Sequence, residues 1–168
     1  MKISAIVMAL RRHAERLKGL YHTTDFSIGS EILMKTNLCD FTVKRDSGLF
    51  EKLTDIYKLV DYPSGDMLNV IHGNYESSII INDRFKKDVD RILKKDIINF
   101  EEDLVSLSFK VSDKFVRTPG VIAGITRRLL WEGINIIEII TTCTEINVIV
   151  HKDHAVNCYR ALEELSRI

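Results

Sequence analysis

The spacing of hydrophobic and polar positions changes several times along this chain, and each change predicts a new element. Residues 2–18 repeat apolar side chains at helical spacing, which predicts an amphipathic helix that ends at Gly19. From Ser30 onward the period changes, and residues 32–44 predict a strand. Helical spacing returns at Leu49, Leu53, Ile56 and Val60. The pattern thus predicts an N-terminal helix in a first segment, 1–19, followed by a strand and a second helix.

A turn at residues 63–66 separates that helix from two short strands. The strands are predicted at residues 67–72 and 77–82, and Gly73-Asn74 supplies a hairpin connection between them. Apolar residues at helical spacing, from Phe85 to Leu93, predict the next helix, and residues 97–100 supply a closing edge strand. The order is βαββα, and it predicts a first small module over residues 30–101.

The same order repeats in residues 103–168, which predicts a second module built like the first. Alternating residues 104–111 predict a half-buried strand, although Leu104 falls on the face opposite to its apolar neighbours. An apolar helical stripe follows Pro119 and ends at Glu132-Gly133. Strands are predicted at 134–140 and 146–150, and a last helix follows. We therefore expect an α+β chain of two βαββα modules and an N-terminal amphipathic helix.

Composition narrows the classes of protein to which the chain can belong. Lys and Arg number 24, as do Asp and Glu, so the chain as a whole has no electrostatic reason to bind nucleic acid or anionic lipid. The three cysteines show no CxxC spacing, which argues against a disulfide framework or a zinc site. No apolar run approaches the length of about 18 residues that a membrane helix needs, and no signal-peptide cleavage pattern is present. We expect a soluble, cytoplasmic protein without a membrane partner.

Residues that carry catalytic or metal chemistry are sparse. His151 and His154 have a metal-like spacing, but no third ligand is evident, so we predict no metal site. Cys143 has no histidine that the predicted fold places beside it, and Trp131 fits a core or an interface. The sequence has no phosphate-binding glycine loop, nucleophile elbow or carboxylate pair. We therefore predict no catalytic residues, no cofactor and no enzymatic activity.

Three short motifs follow one another in the second module. They are Arg117-Thr118-Pro119-Gly120-Val121-Ile122-Ala123, Glu132-Gly133-Ile134-Asn135-Ile136 after Leu129, and Thr141-Thr142 with Glu145-Ile146. In this order they resemble the regulatory ACT domains of aspartokinases, most closely over residues 104–166 and by topology alone over the first module. The resemblance implies tandem ferredoxin-like βαββα modules. Residues 133–145 form a slightly longer segment than the aspartokinase pattern has, which leaves the roles of Glu138 and Glu145 open, and no kinase domain precedes the modules.

ACT domains bind amino acids or related effectors where a strand-to-helix loop meets a neighbouring module, so the resemblance implies a site at the entrance of the second module's first helix. A glycine there lets the backbone approach a ligand, and free N–H groups at a helix start suit a carboxylate. Asp113 suits an α-amino group. The predicted ligand-binding residues are Ser112, Asp113, Thr118, Pro119, Gly120, Val121, Ile122 and Asn135.

Each of these residues also has a purely structural interpretation. Pro119-Gly120 suits a helix entrance, Asn135 can satisfy its own backbone, and Asp113 suits a surface turn. The loop Asp46-Ser47-Gly48 of the first module is a second candidate pocket.

The resulting hypothesis is a regulatory protein that senses an amino-acid effector and alters its assembly or its binding to a regulated enzyme. We expect a homodimer or a higher homo-oligomer, because such modules leave strand edges without partners. Two alternatives stay open. One is a transcriptional regulator in which residues 1–19 are the remnant of a helical DNA-binding domain, and the other is an oligomerisation scaffold without a ligand.

Overall fold

A computed structural model describes residues 3–20 and 28–166, with side chains for residues 4–12 and 31–165. The elements in chain order are α1 (Ile3–Leu20), β1 (Ile28–Lys44), α2 (Leu49–Tyr57), β2 (Leu68–His72), β3 (Glu76–Asn82), α3 (Lys86–Leu93), β4 (Ile97–Val111), α4 (Val121–Trp131), β5 (Ile136–Thr141), β6 (Glu145–His151) and α5 (Ala155–Ser166). The predicted helices and strands are present, apart from a separate edge strand at residues 97–100, and α1 continues past Gly19. Residues 1 and 2 of the predicted first segment lie outside the described residues.

The six strands form one antiparallel sheet in the order β2-β3-β1-β4-β6-β5. Residues 97–100 were expected to form a separate edge strand, but they belong to β4, a continuous strand near the middle of the sheet. The first half of β4 pairs with the second half of β1, and the rest of β4 pairs with β6 and with the first half of β1. The closing strand of one βαββα unit therefore continues directly into the first strand of the next, which joins the two units in one sheet and shows the α+β, ferredoxin-like fold.

Two irregularities lie where β1 and β4 pass from one unit to the other. Asn37 and Asp103 both adopt φ of 59°, the left-handed region that few residues other than glycine adopt. Next to these residues, Leu38 of β1 pairs with Leu104 of β4, and the register of the β1–β4 pairing shifts on both sides of this pair. A bulge changes the alternation of side chains, so residues on its two sides exchange faces of the sheet.

The four helices α2 to α5 cover one face of the sheet, over two apolar cores. The first core includes Cys39, Phe41, Val43, Leu53, Ile56, Ile79, Ile81, Val89 and Leu93. The second includes Val105, Leu107, Phe109, Val121, Ile125, Leu129, Ile146, Val148, Val150 and Leu162. The alternation of β4 and the helical stripe of α4 supply the second core, as the sequence pattern predicts. Burial of each large apolar side chain contributes about 1.5–3 kcal/mol before conformational entropy is counted.

The opposite face of the sheet is concave. Its centre consists of Leu38, Ile80, Leu104 and Ile149, all fully buried although no described helix covers them. Ile71 of β2 and Ile140 of β5 pack against this centre. Because β2 and β5 are the outermost strands, their contact with one cluster shows that the sheet is curled. We call this side the concave face.

The described part of the apolar stripe that predicted α1 is exposed. Ile6, Val7 and Leu10 are 40%, 53% and 63% exposed, so no other described residue covers this part of the helix. The side chains of residues 13–20 of α1 lie outside the described side chains. Among residues 3–20 and 28–166, no helix combines the length and the apolar character needed to cross a membrane.

Candidate functional site

The loop between β4 and α4 is built around a short 3-10 turn at Asp113–Arg117. The Ser112 hydroxyl accepts a hydrogen bond from the Lys114 backbone N–H, with Oγ and N 3.1 Å apart. The Thr118 hydroxyl donates to the Lys114 carbonyl at 2.9 Å. Both hydroxyls therefore hold the turn in place, which is the structural role that such residues commonly take in loops.

Gly120 forms the entrance to α4 and adopts φ of 88°, in the left-handed region. It has no side chain with which to cap the helix. The first backbone N–H groups of a helix have no partner inside the helix, so those of Val121, Ile122 and Ala123 point out of its N-terminal end. The helix dipole adds a partial positive charge there, and the combination favours a carboxylate or another anion.

A cavity of about 710 Å³ lies at this end of α4. The residues that line it are Phe115, Val116, Thr118, Gly120, Val121, Ile122, Ala123, Thr141, Thr142 and Cys143. Its volume falls in the range of about 300–1,000 Å³ that is usual for small-molecule sites. The lining is mainly apolar with three threonines, and it includes no Asp, Glu, Lys or Arg.

The eight predicted site residues separate into two groups. Thr118, Gly120, Val121 and Ile122 line the cavity. Ser112, Asp113 and Pro119 are exposed in the adjoining loop and do not line it, and Asn135 is exposed beyond the other end of α4. A helix of 11 residues is about 16 Å long at 1.5 Å per residue, so Asn135 lies far from the Gly120 end. Ligand contact by any of the eight stays a prediction.

Six lining residues were not selected from the sequence. Phe115, Val116 and Ala123 come from the loop and the first turn of α4, and Thr141, Thr142 and Cys143 come from the hairpin between β5 and β6. The Val111 N–H donates to the Thr144 carbonyl at 2.9 Å, which places that hairpin beside the loop. The Thr141-Thr142 motif, which is part of the resemblance to aspartokinases, was a signal in the sequence for these residues. The strand pairing that brings this motif beside Thr118 is a tertiary feature, which the sequence pattern does not show.

The corresponding loop of the first unit, proposed from the sequence as a second pocket, is tightly bonded. The Asp46 carboxylate accepts from the Gly48 N–H at 2.9 Å. The Arg45 guanidinium donates to the Gly73 carbonyl at 2.8 Å, and the Arg45 N–H donates to the Tyr75 carbonyl at 3.1 Å. The two bonds of Arg45 join the loop to the β2–β3 hairpin. They close the position that corresponds to the cavity of the second unit.

The three thiols differ in environment. Cys39 and Cys158 are buried, and burial raises the pKa of each thiol to about 12. Cys143 is exposed at the cavity. His151 lies beside Asp153, with Nδ1 and Oδ2 3.3 Å apart. Within the described ranges, His, Cys, Asp and Glu side chains form no group of three or more that is suited to a metal ion.

Neither a known protein family nor a curated protein matches the sequence. Solved structures do match the fold. The aspartate kinase of Clostridium acetobutylicum matches with a TM-score of 0.67 and 16% identity, over 87% of this chain and 37% of that one. The ligand-free regulatory subunit of aspartate kinase from Thermus thermophilus matches with a TM-score of 0.60 and 16% identity, over 80% of this chain and 95% of that one.

A third match is E. coli aspartokinase III in complex with lysine and aspartate, with a TM-score of 0.58 and 12% identity, over 87% of this chain and 34% of that one. The chain thus spans about a third of these two kinases and nearly the whole of the regulatory subunit. At such identities the likeness establishes the fold. It confirms that the chain resembles the regulatory, ACT-type part of aspartate kinases.

Proposed function

We propose that this chain is a regulatory protein that binds an amino-acid effector in the cavity at the start of α4, and that binding changes its assembly or its contact with a partner. The observation that carries the proposal is the cavity itself, which is bounded by an uncapped helix N-terminus and a glycine in a left-handed conformation. The fold supports it, because a regulatory subunit of aspartate kinase shares that fold and E. coli aspartokinase III was crystallised with lysine and aspartate. We propose no catalytic role.

The geometry suggests how an effector would bind. Its carboxylate would accept from the N–H groups of Val121 and Ile122, a dipole contribution of about 0.3–1 kcal/mol for an exposed charge. The rest of the molecule would contact Phe115, Val116 and the threonines of the hairpin. Because the lining carries no ionised carboxylate or ammonium group, a neutral effector side chain fits it better than a charged one.

A thermal-shift screen against the twenty amino acids tests the proposal. A ligand present at 100 times its dissociation constant stabilises the folded state by about 2.7 kcal/mol, which gives a readily measured rise in Tm. We expect a shift with one or a few amino acids that have neutral side chains. The absence of a shift with any amino acid would argue against the proposal and favour a scaffold without a ligand.

A matched pair of variants locates the site. Ala123→Glu adds a negative charge beside the proposed carboxylate position, in the first turn of α4, where an acidic residue favours the helix. Val156→Glu makes a similar change at an exposed position in the first turn of α5. We expect the effector's shift to disappear in the first variant and to persist in the second. A shift retained in Ala123→Glu would show that the effector binds elsewhere.

The same protein is proposed to form a homodimer through the outer strands. Among residues 3–20 and 28–166, the order of the sheet leaves one edge each of β2 and β5 without a partner strand, and such edges favour pairing with a second copy. Sedimentation velocity with and without the effector measures this assembly. A monomer under both conditions would exclude an effector-dependent change of assembly and leave partner binding as the response.

The DNA-linked alternative is favoured by one observation, since the described part of α1 exposes the basic side chains of Arg11 and Arg12. A fluorescence anisotropy titration with mixed-sequence duplex DNA tests it. Binding that weakens with salt and is lost on substitution of both arginines would support it.

A further inference from the structure

The described part of α1 presents apolar side chains that no other described residue covers. Val7 and Leu10 are 53% and 63% exposed. An isolated helix of fewer than about 15 residues is marginal in water, and most helices in proteins are stabilised by the packing of an apolar face. With 18 residues, α1 is only slightly longer. A partner that covers Val7 and Leu10 would therefore stabilise the helix.

The spacing of these residues indicates the kind of partner. Val7 and Leu10 are three residues apart, and the sequence continues at alternating intervals of four and three residues with Ile3 before them and with Ala14 and Leu17 after them. This is the spacing of the a and d positions along which two helices pack in a narrow seam. Val7 takes an a position and Leu10 a d position, an arrangement that favours two parallel strands. We call these two residues the α1 seam.

The residues that border the α1 seam favour a second helix over other partners. Arg11 and Arg12 are exposed, and nucleic acid would contact them but leave the seam in water. Helices that lie in a membrane surface commonly place Trp or Phe on their apolar face, whereas residues 2–18 include no aromatic residue. A partner helix with the same spacing covers the seam directly.

A second copy of the chain carries such a helix, because its α1 has the same sequence. In a parallel pair, the side of the seam that holds Ile6 meets the side that holds Arg11. Ile6 is 40% exposed and apolar, so the two helices meet at these positions without opposing like charges. The aliphatic stem of an arginine can also cover apolar surface while its charge stays in water.

We propose that two copies of this chain associate through a parallel pair of α1 helices, with Val7 and Leu10 in the contact. The inference goes beyond the proposed effector site, because neither residue lines the cavity at α4. The helix pair also holds the strand edges of two copies near each other. It thereby raises their effective concentration and strengthens an edge contact that is weak by itself.

A matched pair of variants tests the helix pair in the full chain. Leu10→Glu places a carboxylate in the seam, and Met8→Glu makes the same kind of change at a 55% exposed position outside it. Sedimentation velocity over a range of concentrations measures the dissociation constant for self-association. We expect Leu10→Glu to raise this constant by about tenfold or more, because a buried, unpaired charge is costly, and Met8→Glu to leave it unchanged.

Disulfide formation locates the contact independently of its strength. Cys143→Ser provides the background, because Cys143 is exposed and Cys39 and Cys158 are buried. In this background, Leu10→Cys should give a disulfide-linked dimer under mild oxidation, since d positions of a parallel pair face each other. Met8→Cys should give far less.

Three results would overturn the helix pair. The first is a wild type that is monomeric at every concentration, and the second is an equal dissociation constant in the wild type and Leu10→Glu, which would leave the strand edges to account for any assembly. The third is equal crosslinking at positions 8 and 10. The thermal shift caused by an effector should be the same in Leu10→Glu and the wild type, so failure of the helix pair and failure of the effector site are distinguishable.

Discussion

The loop before α2 and the loop before α4 occupy the same place in their units, yet one is bonded shut and the other borders a cavity. In the first unit, the N–H of Arg45, which follows β1, donates to the Tyr75 carbonyl of the hairpin. In the second unit, the N–H of Val111, the last residue of β4, donates to the Thr144 carbonyl of the hairpin. The side chains then differ. Arg45 reaches the Gly73 carbonyl and ties the loop to the hairpin, whereas Val111 is buried in the second core.

The lengths of the two loops increase this difference. The first unit passes from Arg45 to α2 through three residues, while the second adds the 3-10 turn Asp113–Arg117 before its glycine. Phe115 and Val116 of that turn form one wall of the cavity. The comparison teaches that one fold can carry a closed connection and an open cavity at the same position, depending on one side chain and a short insertion.

The largest expected effect concerns the centre that both units share. Leu104→Ala should destabilise the protein by about 2–5 kcal/mol, because the side chain is fully buried against Leu38 where β1 and β4 cross between units. Urea denaturation measures the loss, and hydrogen exchange should show weaker protection in both units. Leu38→Ala is the matched change in the other strand. Loss of protection confined to one unit would show that the two fold independently.

A second pair of variants compares the two entrance glycines. Gly120→Ala should cost about 1–2 kcal/mol, because residue 120 has φ of 88° and an alanine is strained there. Gly48 has φ of −82°, and an added Cβ would lie 3.4 Å from the Asp46 carboxylate, so Gly48→Ala should change stability by less than about 1 kcal/mol. Urea denaturation of both proteins checks the contrast. Equal losses would mean that the left-handed entrance does not distinguish the loops.

A third substitution makes the closed loop resemble the open one. Arg45→Val removes the guanidinium bond to Gly73, and because this bond is exposed we expect a loss of stability below about 1 kcal/mol. The local effect should be clearer, with faster hydrogen exchange in residues 73–75. Asp55→Asn, which removes an exposed ion pair with Lys58 at the C-terminal end of α2, is the control. Unchanged exchange in the hairpin would show that Arg45 does not close it.

The smallest effect on stability is expected at Cys143. At neutral pH an aromatic disulfide reagent should modify one thiol rapidly, because Cys143 is exposed while burial holds the pKa of Cys39 and Cys158 at about 12. Cys143→Ser should abolish the rapid phase with little change in Tm. A bound effector should slow modification of Cys143, and fast modification of a buried cysteine would contradict the packing of the cores.

Much of the fold is predictable from local pattern. The alternation of Val105, Leu107 and Phe109 predicts a strand with one buried face, and Gly120 and Gly133 mark the two ends of α4, where both have positive φ. The continuity of β4 is not predictable in this way. Asp103 interrupts the alternation with a bulge, so one strand has the pattern of two shorter ones.

The candidate site was predictable in part. Thr118, Gly120, Val121 and Ile122 lie at a helix entrance that a short motif identifies, and all four line the cavity. Asn135 belongs to the same set of motifs but lies beyond the far end of α4. The order of motifs along a chain does not show which of their residues lie close together in space. Thr141, Thr142 and Cys143 reach the site only through the pairing of β6 with β4.

The sequence by itself determined the order of helices and strands, the faces that enter the two cores and the glycine at the entrance of α4, because these depend on residues a few positions apart. Only the tertiary structure decided that β1 and β4 join both units in one sheet and that the sheet curls. It also decided that the Ser78 hydroxyl of β3 donates to the buried Asp40 carboxylate of β1. Such contacts join residues far apart in the chain, and they arise from strand register, bulges and burial rather than from local periodicity.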